Sequence, residues 1–418
     1  MIGNPPYIQL QSNEGLLAKM YEKCGYESYV KTGDLYCLFY EQSNRLLVKK
    51  GHLCFITSNK WMRAGYGEKL RDYFSKNVNP KLLVDFAGVK VFDNATVDTN
   101  ILLFERDKNE GKTLSCTATK LTKDGLSNLS DFVRQQSYVS KFESSNCWVI
   151  LSPIEQTIKT KIENAGIPLK DWDINIYRGV LTGFNDAFII SGEKRQEILN
   201  NCTSDDERKR TDELIRPILR GRDIKRYHYE YADLYLIATF PSKHYDIEKY
   251  PTIKNYLLSF GLERHEQSGK KYDSFSARKK TNNKWFETQD SISYWEDFNK
   301  PKIVWGNLNL SATYAIVPEG IMINAPATMI VPANRSLLCI LNSKLADYYI
   351  RNLGVTRNGG YFEYKPMFIE QLPVPKRIDE NLFASFDMKE LACEKEINHM
   401  VYELYGLTDK EIAFIEKN

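Results

Sequence analysis

The chain has 418 residues, 42% hydrophobic and 27% charged, which is the composition of a soluble globular protein long enough for two or three domains. A net charge of +3 does not by itself announce a nucleic-acid binder, so any such binding needs locally clustered basic residues. No apolar run reaches the roughly 18 residues of a membrane span, the 8 cysteines contain no CxxC pair, and the 5 histidines are not spaced as metal ligands. Free thiols with no signal peptide place the chain in the cytoplasm.

The chain opens on Ile2-Gly3 followed by Asn4-Pro5-Pro6-Tyr7. This reads as a short strand running into a stiff turn, since each proline fixes φ near −65° and removes an N–H. The Asn4 side chain and the Pro5 carbonyl can both accept hydrogen bonds from one planar amino group, and Tyr7 offers a flat face for stacking. The plainer reading is a strand end, a turn and a core tyrosine.

Helical spacing follows over residues 14–23, and a stronger helix spans 35–50 with Leu38, Phe39, Leu46 and Leu47 as its buried stripe. Residues 52–57 (HLCFIT) form a short buried strand, 67–74 a helix, and 82–86 and 99–105 two further strands. Alternation of helices and apolar strands implies a sheet covered on both faces. The short link between the last two strands suggests an antiparallel pair at the sheet edge. Residues 107–150 carry Lys, Gly, Ser and Asn with short strand patterns and read as an edge connection and linker.

The order NPPY, DLYCLFYEQSNRLLVKKGHLCFITSNKWM and VDFAGVKVFDNATVDTNILLFE resembles the second half of an adenine-amino DNA methyltransferase. It is similar to the TaqI-like group and to single-chain type IIG restriction-modification enzymes. The resemblance implies that Asn4 and Pro5 accept hydrogen bonds from the adenine amino group, drawing its lone pair out of ring conjugation. Alignment then supplies most of the rate. It further implies that Pro6 stiffens the turn and that Tyr7 stacks on one face of a base extruded from the helix. Phe92 covers the other face; as a bare residue it reads equally well as a strand-end core residue. In such enzymes a glycine-rich S-adenosylmethionine loop precedes NPPY. Gly65-Tyr66-Gly67 is the only G-x-G and reads better as a flexible helix start. The expectation is therefore a fragment that uses S-adenosylmethionine only as part of a full-length enzyme. Alone it binds no cofactor and is inactive, and Mg2+ enters only if a nuclease domain lies upstream.

Beyond a helix over 153–166, Tyr177 to Phe188 contains a G-x-x-T-G-x-N run that resembles the entry to a TaqI-like C-terminal specificity domain. Arg178, Thr182 and Asn185 are polar groups suited to phosphate or base edges, against the plain reading of a turn. Ile215 to Tyr227 also resembles that domain and holds the cationic cluster Arg220, Arg222, Lys225 and Arg226. Lys270 to Lys284, with Arg278, Lys279 and Lys280, reads as a flexible basic loop for phosphate, and Trp285-Phe286 as the start of a strand. Lys300 to Trp305 is a strand, with Asn307 in a recognition loop after it. An amphipathic helix over 336–352 leads to Arg357 and Lys365 as phosphate holders, and a tail helix over 388–405 precedes a Thr408/Glu411 capping box.

The fold expected is α/β. It comprises a partial Rossmann-like methyltransferase domain (a mixed sheet, second half only, residues 1–145), an α+β DNA target-recognition domain (146–376) and helices over 377–418. The expected partners are double-stranded DNA and the missing N-terminal catalytic or nuclease region, or a split subunit, with no membrane and a monomeric state. The alternative is a DNA-recognition module acting for a separate catalytic partner. A protein-glutamine or RNA methyltransferase is disfavoured by the long second domain.

Overall fold

The computed structural model describes residues 1–86, 88–89, 91–92, 97–118, 128–353, 361–376, 378, 382–383 and 391–417. The chain forms two compact units, Met1–Thr157 and Ile158–Asn418.

The first unit is built on six strands: β1 (Ile2–Gly3), β2 (His52–Ser58), β3 (Asn79–Asp85), β4 (Thr99–Glu105), β5 (Thr113–Thr117) and β6 (Tyr138–Ser140). They lie in the order β1-β2-β4-β3-β5-β6. β1 is parallel to β2, β4 is antiparallel to both β2 and β3, and β5 is parallel to β3. Strands β1, β2, β3 and β5 therefore point the same way, and their carboxyl ends share one edge of the sheet. The β3–β4 pair is antiparallel as the short link suggests, but it sits inside the sheet because β5 pairs with the outer side of β3. Residues 107–150 do lie at the sheet edge, where they supply β5 and β6, but they are no linker, since they bury Phe142, Trp148 and Ile150 against the main core. Phe142 and Trp148 stack at 4.6 Å.

Helices α1 (Ser12–Tyr21), α2 (Leu35–Leu46), α3 (Glu68–Asn77) and α4 (Leu129–Gln136) complete the unit. α2 is shorter than its pattern predicts and rotated from it: Leu38 is buried, whereas Phe39 and Leu46 are exposed. Its inner face carries Tyr36, Cys37, Tyr40, Glu41 and Asn44. The two polar members are hydrogen-bonded, which makes their burial tolerable. Glu41 accepts from the Ser28 N–H and hydroxyl at 2.8 and 2.7 Å, and Asn44 donates to the Tyr73 hydroxyl at 2.9 Å. A purely apolar periodicity misses such a face.

The second unit contains two four-stranded sheets. Its strands are β7 (Ile167–Pro168), β8 (Asn175–Arg178), β9 (Ile189–Ser191), β10 (Ile215–Leu219), β11 (Leu234–Ile237), β12 (Lys302–Trp305), β13 (Leu308–Asn309), β14 (Tyr314–Val317), β15 (Met322–Ile323), β16 (Thr328–Val331), β17 (Phe362–Glu363) and β18 (Pro373–Val374). One sheet runs β15-β10-β11-β9 and the other, fully antiparallel, β14-β12-β16-β8. A single apolar core from Val180 to Val331 draws on both sheets. The segment predicted as one helix over 336–352 is two, Arg335–Asn342 and Lys344–Leu353. Ser343 between them is extended, and its hydroxyl accepts the Ala346 N–H at 3.1 Å, starting the second helix. Trp285-Phe286 begins no strand. The tail helices are Leu391–Leu404 and Asp409–Lys417; Glu411 reaches back to the Thr408 N–H at 2.8 Å and also pairs with Lys161 at 2.7 Å. Among the described residues no helix is long and apolar enough to cross a membrane.

Two features yield predictions. Gly67 lies so close to the Trp61 carbonyl that an added Cβ would fall 2.0 Å from its oxygen. Gly67→Ala should cost about 1–3 kcal/mol in urea unfolding; an unshifted midpoint would contradict this packing. In the second unit the buried Glu207 is pushed up by burial, but hydrogen bonds from the N–H and hydroxyl groups of Thr203 and Thr252 outweigh that and hold its pKa down to about 2, from 4.5. A folded pKa below the unfolded one stabilises above pH 4.5 and loses that contribution as the pH falls towards about 2. Glu207→Gln should flatten stability against pH across this window, and an unchanged acid-unfolding profile would refute the assignment.

Candidate functional site

β1 lies flat on β2 because residue 3 is glycine: a Cβ there would meet the Phe55 ring at 2.9 Å. The chain then leaves the carboxyl end of a parallel strand, the usual place for a ligand in an open α/β sheet. Asn4 and Pro6 are exposed and Pro5 is buried. Among the described residues nothing hydrogen-bonds to the Asn4 side chain or the Pro5 carbonyl. Both acceptors named from the sequence thus have no partner among the described residues, the Asn4 side chain on an exposed residue and the Pro5 carbonyl on a buried one.

Tyr7 is half-buried and anchored. Its hydroxyl donates to the Ile56 carbonyl at 3.2 Å, and its ring meets Tyr36 edge-on at 6.0 Å. Burial pushes its pKa up, so it remains a neutral donor. Behind it, the Tyr36 and Tyr66 hydroxyls lie 2.7 Å apart. The entry to α2 is strapped alongside, with Leu35 N–H donating to the Ile8 carbonyl and Leu10 N–H to that of Gly33, both at 2.8 Å. Tyr66, missed as a support residue, stands in the G-x-G segment that the sequence assigns to a helix start.

The next loops of the same edge follow β2 and β3. Asn59 donates to Asp85 at 2.8 Å, joining the ends of those strands. Beneath them, Thr57 donates to the buried Asn100 side chain at 2.9 Å, and the Tyr40 hydroxyl lies 3.0 Å from Thr57. Phe92 follows β3 and is half-buried; its neighbours Val89 and Val91 pack against the Val84–Phe86 core cluster, but Phe92 does not. β1 and β3 are three strand spacings apart, about 14 Å. No ring contact or hydrogen bond joins Phe92 to the Asn4–Tyr7 turn among the described residues.

Among the described residues the G-x-G turn offers no room for the methyl donor implied by the resemblance. The resemblance implies a glycine-rich loop after a strand for that donor. The one G-x-G turn is filled: Gly67 donates to the Ala64 carbonyl at 3.0 Å and packs on Trp61 and Arg71. Among the described residues no group of three His, Cys, Asp or Glu side chains is placed for a metal.

In the second unit the basic residues sort into free and internally engaged groups. Arg178 and Asn185 are exposed, but Thr182 is buried, with its hydroxyl donating to the Asn185 side chain at 2.6 Å. Arg278 is also buried and shows no face to a phosphate. Its guanidinium donates to the carbonyls of Thr182, His265, Trp285 and Glu287 at 2.5–2.9 Å. Burial lowers its pKa to about 10. Lys279 and Lys280 beside it are exposed. Arg278 thereby joins two stretches far apart in sequence, and Arg264 adds to this by lying over the Phe184 ring at 4.7 Å.

The cluster after β10 is likewise mostly engaged. Arg220 forms a two-pronged pair with Asp223 at 2.9 and 2.8 Å. Lys225 donates to the Arg222 carbonyl at 2.9 Å, and Arg226 is paired with Glu394. Arg222 alone of the four is exposed. Asn307 accepts from Thr328 at 2.8 Å, and Lys365 pairs with Glu363 at 2.8 Å. Arg357 lies outside the described residues.

Comparison with known proteins bears on this arrangement. Residues 1–92 match the family Eco57I restriction-modification methylase, and residues 216–374 match the TaqI-like C-terminal specificity domain. The segment similar to the methylase family precedes the one similar to the specificity domain. The chain is 24% identical to the type II methyltransferase M.BstVI of Geobacillus stearothermophilus, with all of this chain and 74% of that protein covered. It is 23% identical to the type II methyltransferase M.XhoI of Xanthomonas vasicola, over 98% of this chain and 75% of that one. In structure it is similar to the type IIL restriction-modification enzyme MmeI, solved in complex with DNA, with a TM-score of 0.51 at 11% identity; all of this chain and 56% of that one are covered. That likeness is one of fold, a mixed methyltransferase-like sheet followed by antiparallel sheets and helices.

The sorting of the arginines is testable by thermal or urea unfolding. Arg220→Ala leaves the buried Asp223 carboxylate without its partner and should cost about 1–3 kcal/mol. Arg222→Ala should change stability by less than about 0.5 kcal/mol. Equal effects would contradict the pairing.

Proposed function

We propose that this chain carries the base-gripping turn and the DNA-reading domain of an adenine-N6-specific DNA methyltransferase of a restriction-modification system of the type IIG kind. The observation that carries the reading is the Asn4–Tyr7 turn at the carboxyl end of β1, with two acceptors that have no partner among the described residues beside an anchored aromatic ring. Together with the two family matches, it argues for a flipped base as ligand. Unstacking that base costs a few kcal/mol, which stacking on Tyr7 and Phe92 offsets. Asn4 and Pro5 then hold the exocyclic amino group by both hydrogens, fixing the nitrogen's direction.

The base-gripping part we assign to the first unit, Met1–Thr157, rather than to residues 1–145, because Trp148 and Ile150 belong to its core, and the DNA-reading part with the tail helices to the second, Ile158–Asn418. The cofactor is S-adenosylmethionine, the methyl donor of this enzyme class, although the described residues offer it no fitting turn. The partner is duplex DNA. The second reading, a recognition module serving a separate catalytic chain, is favoured by that same lack of fit.

Calorimetry with S-adenosylmethionine and a methylation assay on duplex DNA test the reading. The chain by itself should bind no cofactor and transfer no methyl group; measurable binding with turnover would overturn that part. In an enzyme that includes the cofactor-binding part, Asn4→Ala should lower methylation by about 100-fold or more and leave DNA affinity nearly intact. Retained turnover would remove the turn from the active site.

A further inference from the structure

Residues 266–281 form a hairpin rather than a flexible loop. Gly269 N–H donates to the Arg278 carbonyl and Ala277 N–H to that of Lys270, both at 2.9 Å; Lys271 and Ser276 form an antiparallel bridge. Tyr272 N–H donates to the Phe275 carbonyl at 2.8 Å and closes a four-residue turn, stiffened by the stacked Tyr272 and Phe275 rings at 4.6 Å. Lys270, Lys271, Lys279 and Lys280 are exposed, and among the described residues no carboxylate pairs with any of them.

The base of this finger is fixed from inside. Besides the Arg278 clamp, the buried Gln267 donates to the Glu287 carbonyl at 3.1 Å and accepts from the Thr281 hydroxyl at 2.6 Å. Gln289 donates to the Lys279 carbonyl at 3.1 Å, and the Gln289 N–H reaches the Leu181 carbonyl at 3.0 Å. The finger and the Thr182–Asn185 turn are therefore one rigid element, with an outward tip of Asp273 and Ser274, both exposed.

We propose that this hairpin enters the major groove of duplex DNA and reads base edges through Asp273 and Ser274; the inference rests on the DNA-methyltransferase reading above. Two strands about 4.8 Å apart with their side chains make a ribbon about 10 Å across. That width fits a major groove about 12 Å wide and not a minor groove about 6 Å wide. The four residues from Gly269 to the tip extend about 13 Å, beyond the groove depth of about 8.5 Å. Successive strand residues address opposite faces, so the lysine pairs supply cations towards both phosphate walls. A lone aspartate at the tip of a basic finger is repelled by phosphate but accepts from an exocyclic amino group of cytosine or adenine at the groove floor.

The test uses the full chain and a randomised duplex library. It compares wild type, the combined lysine variant K270A/K271A/K279A/K280A, and Asp273→Ala, reading affinity against salt and the sequences selected. The lysine variant should lower the slope of log K against log salt by about 2 or more, at about 0.9 for each phosphate no longer neutralised. Asp273→Ala should keep the wild-type slope and relax selection at a position of cytosine or adenine. A wild type with no affinity for duplex DNA would refute the underlying function. A wild type that binds, with lysine and Asp273 variants matching it in slope and selected sequence, would refute the finger alone.

Discussion

A charge removed from water must be met by hydrogen bonds or it does not stay buried, and this chain meets its inner cations largely with backbone carbonyls. Arg71 donates to the carbonyls of Trp61, Ala64 and Ser145. Arg278 holds four carbonyls. Lys302, fully buried, donates to those of Phe298, Lys300 and Pro318 at 2.9–3.0 Å. Carbonyls of loops have no ladder partner, so a cation that collects several of them fixes segments that secondary structure leaves loose. The Trp61 loop, the Thr182 turn, the turn before β12 and the chain just after β14 are all held this way.

That device decides which positive charges remain for a partner. Arg220, Arg226 and Lys365 are neutralised by Asp223, Glu394 and Glu363. Arg178, Arg222 and the finger lysines stay exposed. The basic surface is thus smaller than residue counts suggest, and it is carried on a stiff scaffold. In the first unit rings and strands add to the Arg71 clamp: Tyr7, beside Asn4 and Pro5, is fixed on β2 and Tyr36.

Much of this is legible in the residues. β2 and β4 follow from dense apolar runs, and the turn after β1 from two prolines beside Asn4 and Tyr7. The roles of Arg278 and Arg220 are not, because a sequence displays charge but not burial, and charge alone groups both with residues for phosphate. α2 misleads for the converse reason: Glu41 and Asn44 face inward with their hydrogen bonds while Phe39 faces out. The short strand patterns of β5 and β6 are visible in their polar stretch, but not that the stretch buries Phe142, Trp148 and Ile150 in the core.

The central claim is that one rigid element of the second unit, the Thr182 turn with the lysine hairpin, meets duplex DNA. Hydrogen–deuterium exchange of the whole chain with and without duplex DNA addresses it most directly. The account predicts slowed exchange concentrated in residues 179–186 and 267–281, with the internal strand β4 unchanged. Protection absent from both segments while DNA is bound would contradict it.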